Sequence, residues 1–342
     1  MSKKSSRKRR GDDGGAVWRR VGTPEKGFTF LRADGKPLKS KAALARIRAL
    51  AIPPAWVDVE IAADADAKVQ ATGIDAAGRK QYRYHPDYQA KNRRRKYRRL
   101  LALAHDLPRI REVTNRHLQR KGLGRERVLA TVVRLMSRAY FRVGSERYAV
   151  NNKTFGIATL RKKHLTIEGN DLVFRFVGKS SVDQRTVVAE TPLVEIVREM
   201  MELPGRRLFR YVDEEGKVRN VTARDVNAYL KEIAGQRYTS KDLRTWGGTV
   251  RAATILADLG PAKSEREARK AVVLACKLVS TELGNTPAVC RSAYIHPAVL
   301  DRYLAGKTIE PLMRKEARHV EAESPEYYPE EAALMRFLEK WG

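Results

Sequence analysis

The chain has 342 residues, 42% of them hydrophobic, with 69 Lys and Arg against 40 Asp and Glu and a formal net charge of +29. This length exceeds one ordinary core and points to two domains, and no stretch approaches the roughly 18 consecutive apolar residues of a membrane helix. Such an excess of one charge repels itself unless it meets a polyanion, so nucleic acid is the leading partner class, with acidic membrane and ribosome-type RNA packing as the alternatives.

Residues 1–15 are basic, then rich in Gly and Asp. They read as a disordered basic arm without the apolar stretch of a secretory signal. Residues 16–86 form a small β-rich unit. Gly27-Phe-Thr-Phe-Leu reads as a strand and Ala33-Asp-Gly-Lys-Pro as a turn. A short helix is predicted over 39–50, with Ser40 as its N-cap. Residues 55–61 alternate as a half-buried strand does, and 68–73 and 80–84 flank a hairpin loop at 75–78. From Pro86 the period changes and 87–104 reads as a strongly basic helix, which sets a domain boundary there. The stretch 76–128 holds 17 Lys and Arg and 4 Asp and Glu, so the partner is expected against the middle of the chain.

An amphipathic helix follows over 125–141, with Val128, Leu129, Val132, Val133, Leu135, Met136 and Ala139 on one side. Three short strands are predicted at 164–168, 172–177 and 184–189. Helices then run over 192–203, 222–234, 240–259, 264–283 and 296–305, with Thr222, Ser240 and Ser264 as N-caps and Gly260 and Gly284 as terminators. The last part, 310–342, is an acidic tail in which Met335, Leu338 and Trp341 recur at helical spacing. The two cysteines, Cys276 and Cys290, read as small core residues of a protein from a reducing, intracellular compartment.

Several familiar devices are absent from the sequence. No Gly-rich loop precedes Lys-Ser/Thr, no paired Cys/His spacing suits zinc, and carboxylates do not cluster in a Mg²⁺ pattern. A nucleic-acid enzyme built on this chain is therefore expected to need neither metal nor ATP. What remains is a set of Arg, Lys, Asn and Tyr residues. Arg142 opens Arg-Val-Gly-Ser-Glu-Arg-Tyr after a helix end, and Lys179 sits at a hairpin tip. Arg244 lies early in a helix, in Lys-Asp-Leu-Arg-Thr-Trp-Gly-Gly. Asn285 stands in Gly-Asn-Thr-Pro, and Tyr294 in Ser-Ala-Tyr-Ile-His-Pro between two helical stretches. Taken singly, each is an ordinary surface or core-edge residue.

Together, Gly78-Arg-Lys-Gln-Tyr-Arg-Tyr, Arg142-Val-Gly, Val177-Gly-Lys, Lys241-Asp-Leu-Arg-Thr and Ala293-Tyr-Ile-His-Pro resemble the small type IB DNA topoisomerases of the poxviral and bacterial kind, in order and spacing, from Phe28 to about Leu304. The resemblance implies an α+β fold: a small β-rich N-terminal DNA-clamp domain (16–86), then a larger, mainly α-helical catalytic domain (87–342) carrying a small three-stranded antiparallel sheet. It implies Tyr294 as nucleophile, Arg142, Lys179 and Arg244 as charged catalytic residues, and a 3′-phosphotyrosyl intermediate. Gln81, Tyr82, Tyr84, Tyr148 and Lys241 match its DNA-contact positions. The implied partner is double-stranded DNA, clamped by a monomer in the cytoplasm at the nucleoid, with no membrane, metal or nucleotide cofactor. The family commonly has histidine where Asn285 stands. Asn donates a hydrogen bond but carries no mobile proton, so position 285 is assigned orientation and oxyanion contact. The family's lysine soon after Arg142-Val-Gly is Ser145 here.

This chemistry suits the residue types. Arginine forks neutralise the charge that builds on the non-bridging oxygens of a five-coordinate phosphorus. An arginine beside a phenol favours its ionised form. A lysine close to other cations is a fitting proton donor to the departing oxygen. A tyrosine recombinase shares this Arg, Lys, Arg and Tyr set and is the alternative enzyme. The β-rich N-terminal unit and the Lys-Asp-Leu-Arg-Thr-Trp-Gly-Gly context argue against it. A noncatalytic nucleic-acid-binding protein is the alternative from another class.

Overall fold

A computed structural model describes residues 16–235, 238–317 and 328–342; the basic arm expected over 1–15 lies outside the described residues. The chain divides into two compact units, one ending at Lys96 and one running from Tyr97 to Gly342.

In the first unit β1 (Val17–Thr23), β2 (Gly27–Leu31), β3 (Val57–Ala62), β4 (Val69–Ile74) and β5 (Lys80–Tyr84) form an antiparallel sheet in the order β2-β1-β3-β4-β5. The helix α1 (Lys41–Ala49) is inserted after β2, and the Ser40 hydroxyl caps it by accepting from Ala43 N at 3.3 Å. The core is small: Ile47, Val59, Ile61 and Ala71, with Trp18, Phe30 and Trp56 packed around them. Strand β1 was not expected, because Arg19 and Arg20 interrupt its apolar alternation. The structure resolves the conflict through Arg20. Its guanidinium lies 4.2 Å from the Phe28 ring centroid and donates to the carbonyls of Pro53 (3.1 Å) and Trp56 (2.5 Å), so its stem packs while its charge is satisfied.

The helix α2 (Pro86–Leu118) begins in the first unit and continues into the second. It extends well past the expected end at 104, through Pro108. An internal proline costs about 3 kcal/mol. Burial of Leu103, Leu107, Ile110 and Thr114 at helical spacing outweighs it, since each fully buried large apolar side chain contributes about 1.5–3 kcal/mol.

The second unit contains α3 (Arg125–Ala139) and α4 (Glu146–Asn151), then β6 (Leu165–Glu168), β7 (Asp171–Val177) and β8 (Asp183–Ala189), which form the expected three-stranded antiparallel sheet. Next come α5 (Thr191–Glu202), the two-stranded hairpin of β9 (Arg210–Val212) and β10 (Val218–Asn220), and α6 (Ala223–Ala234). The remainder is α7 (Ser240–Leu259), α8 (Glu265–Leu283), α9 (Pro287–Ala293), α10 (Pro297–Leu304), α11 (Glu310–Ala317) and α12 (Pro329–Trp341). The α+β class and the division into a β-rich and a helical part agree with the sequence reading. The β9–β10 hairpin and α9 are too short to carry a period and were not foreseen.

Two local corrections have simple causes. Ser240 is the first residue of α7 and not its cap; Thr239 caps it, with its N–H and hydroxyl both donating to Asp242 Oδ2 at 2.9 and 2.8 Å. In the tail, α12 packs through Ala333, Leu334, Phe337 and Leu338, with Met335 at the edge of that face. Buried Glu331 ties α12 to the helices beneath it, accepting from Arg111 Nη2 at 2.7 Å and from Trp246 Nε1 at 3.1 Å.

Candidate active site

The C-terminal end of α8 organises the site. Gly284, in the left-handed region at φ +56°, ends the helix, and Asn285 N returns to the Ser280 carbonyl at 2.9 Å. This closure leaves late carbonyls of α8 free to accept from elsewhere, and a helix C-terminus attracts cations. Two arginines use them. Arg244 of α7, 4% exposed, donates from Nη2 to the Leu283 carbonyl at 2.8 Å. Arg142 donates from Nη2 to the Gly284 carbonyl at 2.8 Å and to Asn285 Oδ1.

The backbone around Arg142 is shaped for this reach. Tyr140 ends α3 in the left-handed conformation, and the Arg142 carbonyl then accepts from Ile157 N at 2.8 Å. Gly144 and Gly156 lie face to face there. Gly144 sits at φ +87°, and a side chain on it would stand 2.8 Å from Thr159 Oγ1 and 3.0 Å from Gly156 N, which explains the glycine of Arg142-Val-Gly. One on Gly156 would stand 2.5 Å from both the Arg142 carbonyl oxygen and Gly144 N.

Tyr294 is the C-cap of α9, its N–H bonded to the Cys290 carbonyl at 2.9 Å. Thr286 caps the start of α9 and Pro287 occupies its first turn, so one short helix spans the distance from Asn285 to Tyr294. The Arg244 guanidinium carbon lies 5.3 Å from the Tyr294 ring centroid, within the range of a cation–π contact.

The electrostatics are those of an anion site. Among the described residues neither Arg142 nor Arg244 has a carboxylate within salt-bridge distance. Burial pushes Arg244 down to about 10, helped by the neighbouring Arg142 charge and opposed by Tyr294. Burial also lowers Arg142, again opposed by Tyr294. Both stay protonated at neutral pH. Among the described residues, two buried donors here, Arg244 Nε and Asn285 Nδ2, have no nitrogen or oxygen partner, the Asn285 side chain meeting only the weakly accepting Cys290 thiol besides Arg142. Leaving such groups unpaired costs about 1–3 kcal/mol each, and an oxyanion would satisfy them. Among the described residues no cluster of His, Cys, Asp or Glu could hold a metal ion.

The structure thus brings together Arg142, Arg244, Asn285 and Tyr294. Lys179 is exposed in the short turn Lys179–Ser181 between β7 and β8. It does not line the cleft that Arg142 and Arg244 share with Gly178 and Gln184 of the same hairpin. Of the residues expected to contact a partner, Lys241 is exposed in the first turn of α7 and Tyr148 is exposed on α4. Tyr82 and Tyr84 are exposed on one face of the edge strand β5, their rings stacked at 5.9 Å with Tyr88 beside them. Gln81 points to the other face and donates to Asp75 Oδ2 at 2.8 Å.

Comparison with known proteins decides the family. Residues 85–321 match the family described as "Eukaryotic DNA topoisomerase I, catalytic core", and residues 27–75 match "Bacterial DNA topoisomerase IB, N-terminal domain". The DNA topoisomerase 1B of Acanthamoeba polyphaga mimivirus is 32% identical over 283 residues, covering 81% of this chain and 84% of the viral protein. The chain belongs to the type IB DNA topoisomerases. The vaccinia virus (strain Copenhagen) DNA topoisomerase 1B is 26% identical, covering 67% of this chain and 70% of that protein, and the monkeypox virus DNA topoisomerase I shows the same identity and coverage. As a type IB topoisomerase this chain is an isomerase.

Two features of this topoisomerase escaped the sequence reading. Gly247 and Gly248 stand together inside α7, where each costs about 1 kcal/mol relative to Ala. A side chain on Gly247 would collide with the Tyr140 ring, and one on Gly248 would stand 2.9 Å from the Tyr294 carbonyl oxygen. The pair lets α7 press against the elements carrying Arg142 and Tyr294. Adjacent glycines in an otherwise strong helical pattern were the available signal.

Proposed function

We propose that the enzyme relaxes supercoiled duplex DNA by transient single-strand cleavage and religation through a 3′-phosphotyrosyl bond to Tyr294. The Tyr294 oxygen, its proton given up to solvent, attacks a backbone phosphorus, the bond to the 5′ oxygen breaks, and that oxygen leaves with a proton from Lys179. Arg142, Arg244 and Asn285 hold the non-bridging oxygens, where loss of one donor typically costs about 10²–10³ in rate. The free 5′ hydroxyl then attacks the phosphotyrosine, its proton returning to Lys179, and the Tyr294 oxygen departs and regains a proton from solvent as the strand is restored. The ester to tyrosine retains the energy of the broken bond, so no ATP is consumed. The two arginines supply the positive charge that a metal provides elsewhere. While one end is held covalently, the other rotates about the intact strand.

The observation that carries this reading is the convergence of Arg142 and Asn285 at one helix end with Arg244, whose guanidinium lies 5.3 Å from the Tyr294 ring centroid. Residues 16–86 are the clamp domain and 87–342 the catalytic domain of a monomer that closes on the duplex in the cytoplasm, at the nucleoid. Stacked Tyr82 and Tyr84 with Gln81, and Tyr148 with Lys241, are the proposed DNA contacts.

The test is trapping on a suicide duplex that loses its 5′ strand after cleavage. Wild type is expected to form a covalent adduct mapped by mass spectrometry to Tyr294, in EDTA and without ATP. Tyr294→Phe should bind the duplex and form none. An undiminished adduct in the variant overturns the assignment of the nucleophile.

A further inference from the structure

We propose that Gln184 is a positioning residue that docks the hairpin carrying Lys179 onto the Gly284–Asn285 turn. The inference rests on the reading of Lys179 as the proton donor and identifies what holds that donor in place.

The Lys179 loop is closed by its own backbone, with Gly178 N donating to the Val182 carbonyl at 2.8 Å. Ser180 and Ser181 both adopt left-handed conformations, at φ +62° and +56°. This fixes the shape of the loop. It does not aim the loop at the site, because Lys179, Ser180, Ser181 and Val182 are all exposed.

One side chain at the base of the loop makes the connection. Gln184, paired with Phe176 across the hairpin, is half-buried although its neighbours Asp183 and Arg185 are exposed. Its side chain lies over two glycines. A methyl on Gly178 would stand 3.0 Å from Gln184 Cγ, and one on Gly284 would stand 2.5 Å from Gln184 Oε1 and 2.7 Å from Nε2. The amide therefore rests on the α-carbon of Gly284. That residue gives its carbonyl to Arg142 and precedes Asn285. Gln184 thus joins the segment that carries the acid to the segment that carries the oxyanion donors. A donor misplaced by about 1 Å can lose on the order of 10² in rate, so a single contact of this kind is enough to set the rate of protonation.

A docking role predicts a defect confined to protonation of the leaving oxygen, which a residue that merely supports the fold does not show. Single-turnover cleavage is measured on suicide duplexes whose scissile bond leads either to the normal 5′ oxygen or to sulfur, a leaving group that needs no acid. Lys179→Ala should be slow on oxygen and recover on sulfur. Gln184→Ala should be at least about tenfold slow on oxygen and recover on sulfur, and the double variant should be no slower on oxygen than Lys179→Ala alone. Gln184→Met, which keeps the length of the side chain over Gly284, should regain most of the loss. If Lys179→Ala does not recover on sulfur, the proton-donor reading fails whatever Gln184 does. If Lys179→Ala recovers while Gln184→Ala is equally slow on both duplexes, or is as fast as wild type on oxygen, the docking role is overturned. Should Gln184→Ala not fold, Gln184→Met decides: a loss on oxygen as large as that of Lys179→Ala rejects the role of side-chain length.

Discussion

In the proposed reaction Asn285 has two separable tasks. Its Oδ1 accepts from Arg142, while its buried Nδ2 has no nitrogen or oxygen partner among the described residues. The acceptor orients the arginine, and the proposed mechanism assigns the donor to an oxyanion. Asn285→Asp separates the two, because a carboxylate keeps the acceptor, removes the donor and adds a negative charge beside Arg142 and Arg244. Single-turnover cleavage by this variant is expected to fall by about 10²–10³ with unchanged adduct chemistry, and a smaller loss would mean the Nδ2 donor is idle. Elsewhere in the same unit, burial holds His164 down to about 4, helped by Lys163 and Arg161, as its ring packs on Phe155 and its Nδ1 accepts from Arg161 N at 3.1 Å. The unfolded chain takes up this proton near pH 6.5 and the folded chain only near pH 4. His164 therefore costs no stability above about pH 6.5 and lowers it progressively as pH falls from there toward 4. His164→Asn should flatten the fall in melting temperature across that window, and an unchanged slope would assign the acid sensitivity to other groups.

At the scale of elements, the site depends on how closely α7 approaches its neighbours. Gly247 admits the Tyr140 ring and Gly248 admits the Tyr294 carbonyl, so Ala at each position acts through different partners. Gly247→Ala is expected to destabilise the protein by about 1–3 kcal/mol in denaturant unfolding, because overpacking against the half-buried Tyr140 ring outweighs the gain of about 1 kcal/mol in helix propensity. Gly248→Ala should leave stability nearly unchanged and slow cleavage, because the methyl displaces the C-cap of α9 on which Tyr294 stands. Equal effects of the two on stability and rate would contradict this division. The hairpin β7–β8 depends in the same way on a glycine of another element, since Gln184 rests on Gly284.

For the whole molecule the dominant property is charge, +29 over 342 residues. Such an excess opposes compaction through self-repulsion. The described residues offset it with ion pairs that place single carboxylates among several arginines, as Glu190 does between Arg134 and Arg138. Arg142 and Arg244 stand outside these pairs. Binding a duplex releases counterions in proportion to the phosphates neutralised. DNA affinity is expected to fall by about 10³–10⁵ between 50 and 200 mM salt if some 6–10 phosphates are contacted. A flat response in a filter-binding or anisotropy titration would exclude an interface dominated by the DNA backbone.

The sequence by itself determined whatever is carried within one element or one motif. The alternation of 55–61, the apolar side of α3, the Ser40, Thr222 and Ser264 caps and the Gly260 and Gly284 ends are local preferences, and each was legible. The family order of Arg142, Lys179, Arg244 and Tyr294 was legible as well, since motif spacing survives without coordinates. Only the tertiary structure decided which carbonyls hold the two arginines, because Arg142 reaches a residue 142 positions away and Arg244 one 39 positions away. The same holds for the run of α2 through Pro108, the arginine-bearing strand β1, the glycine pair in α7 and the seat of Gln184. In each of these a contact with a distant segment overrides a local preference or gives an otherwise neutral residue its task, and no window of sequence contains both partners.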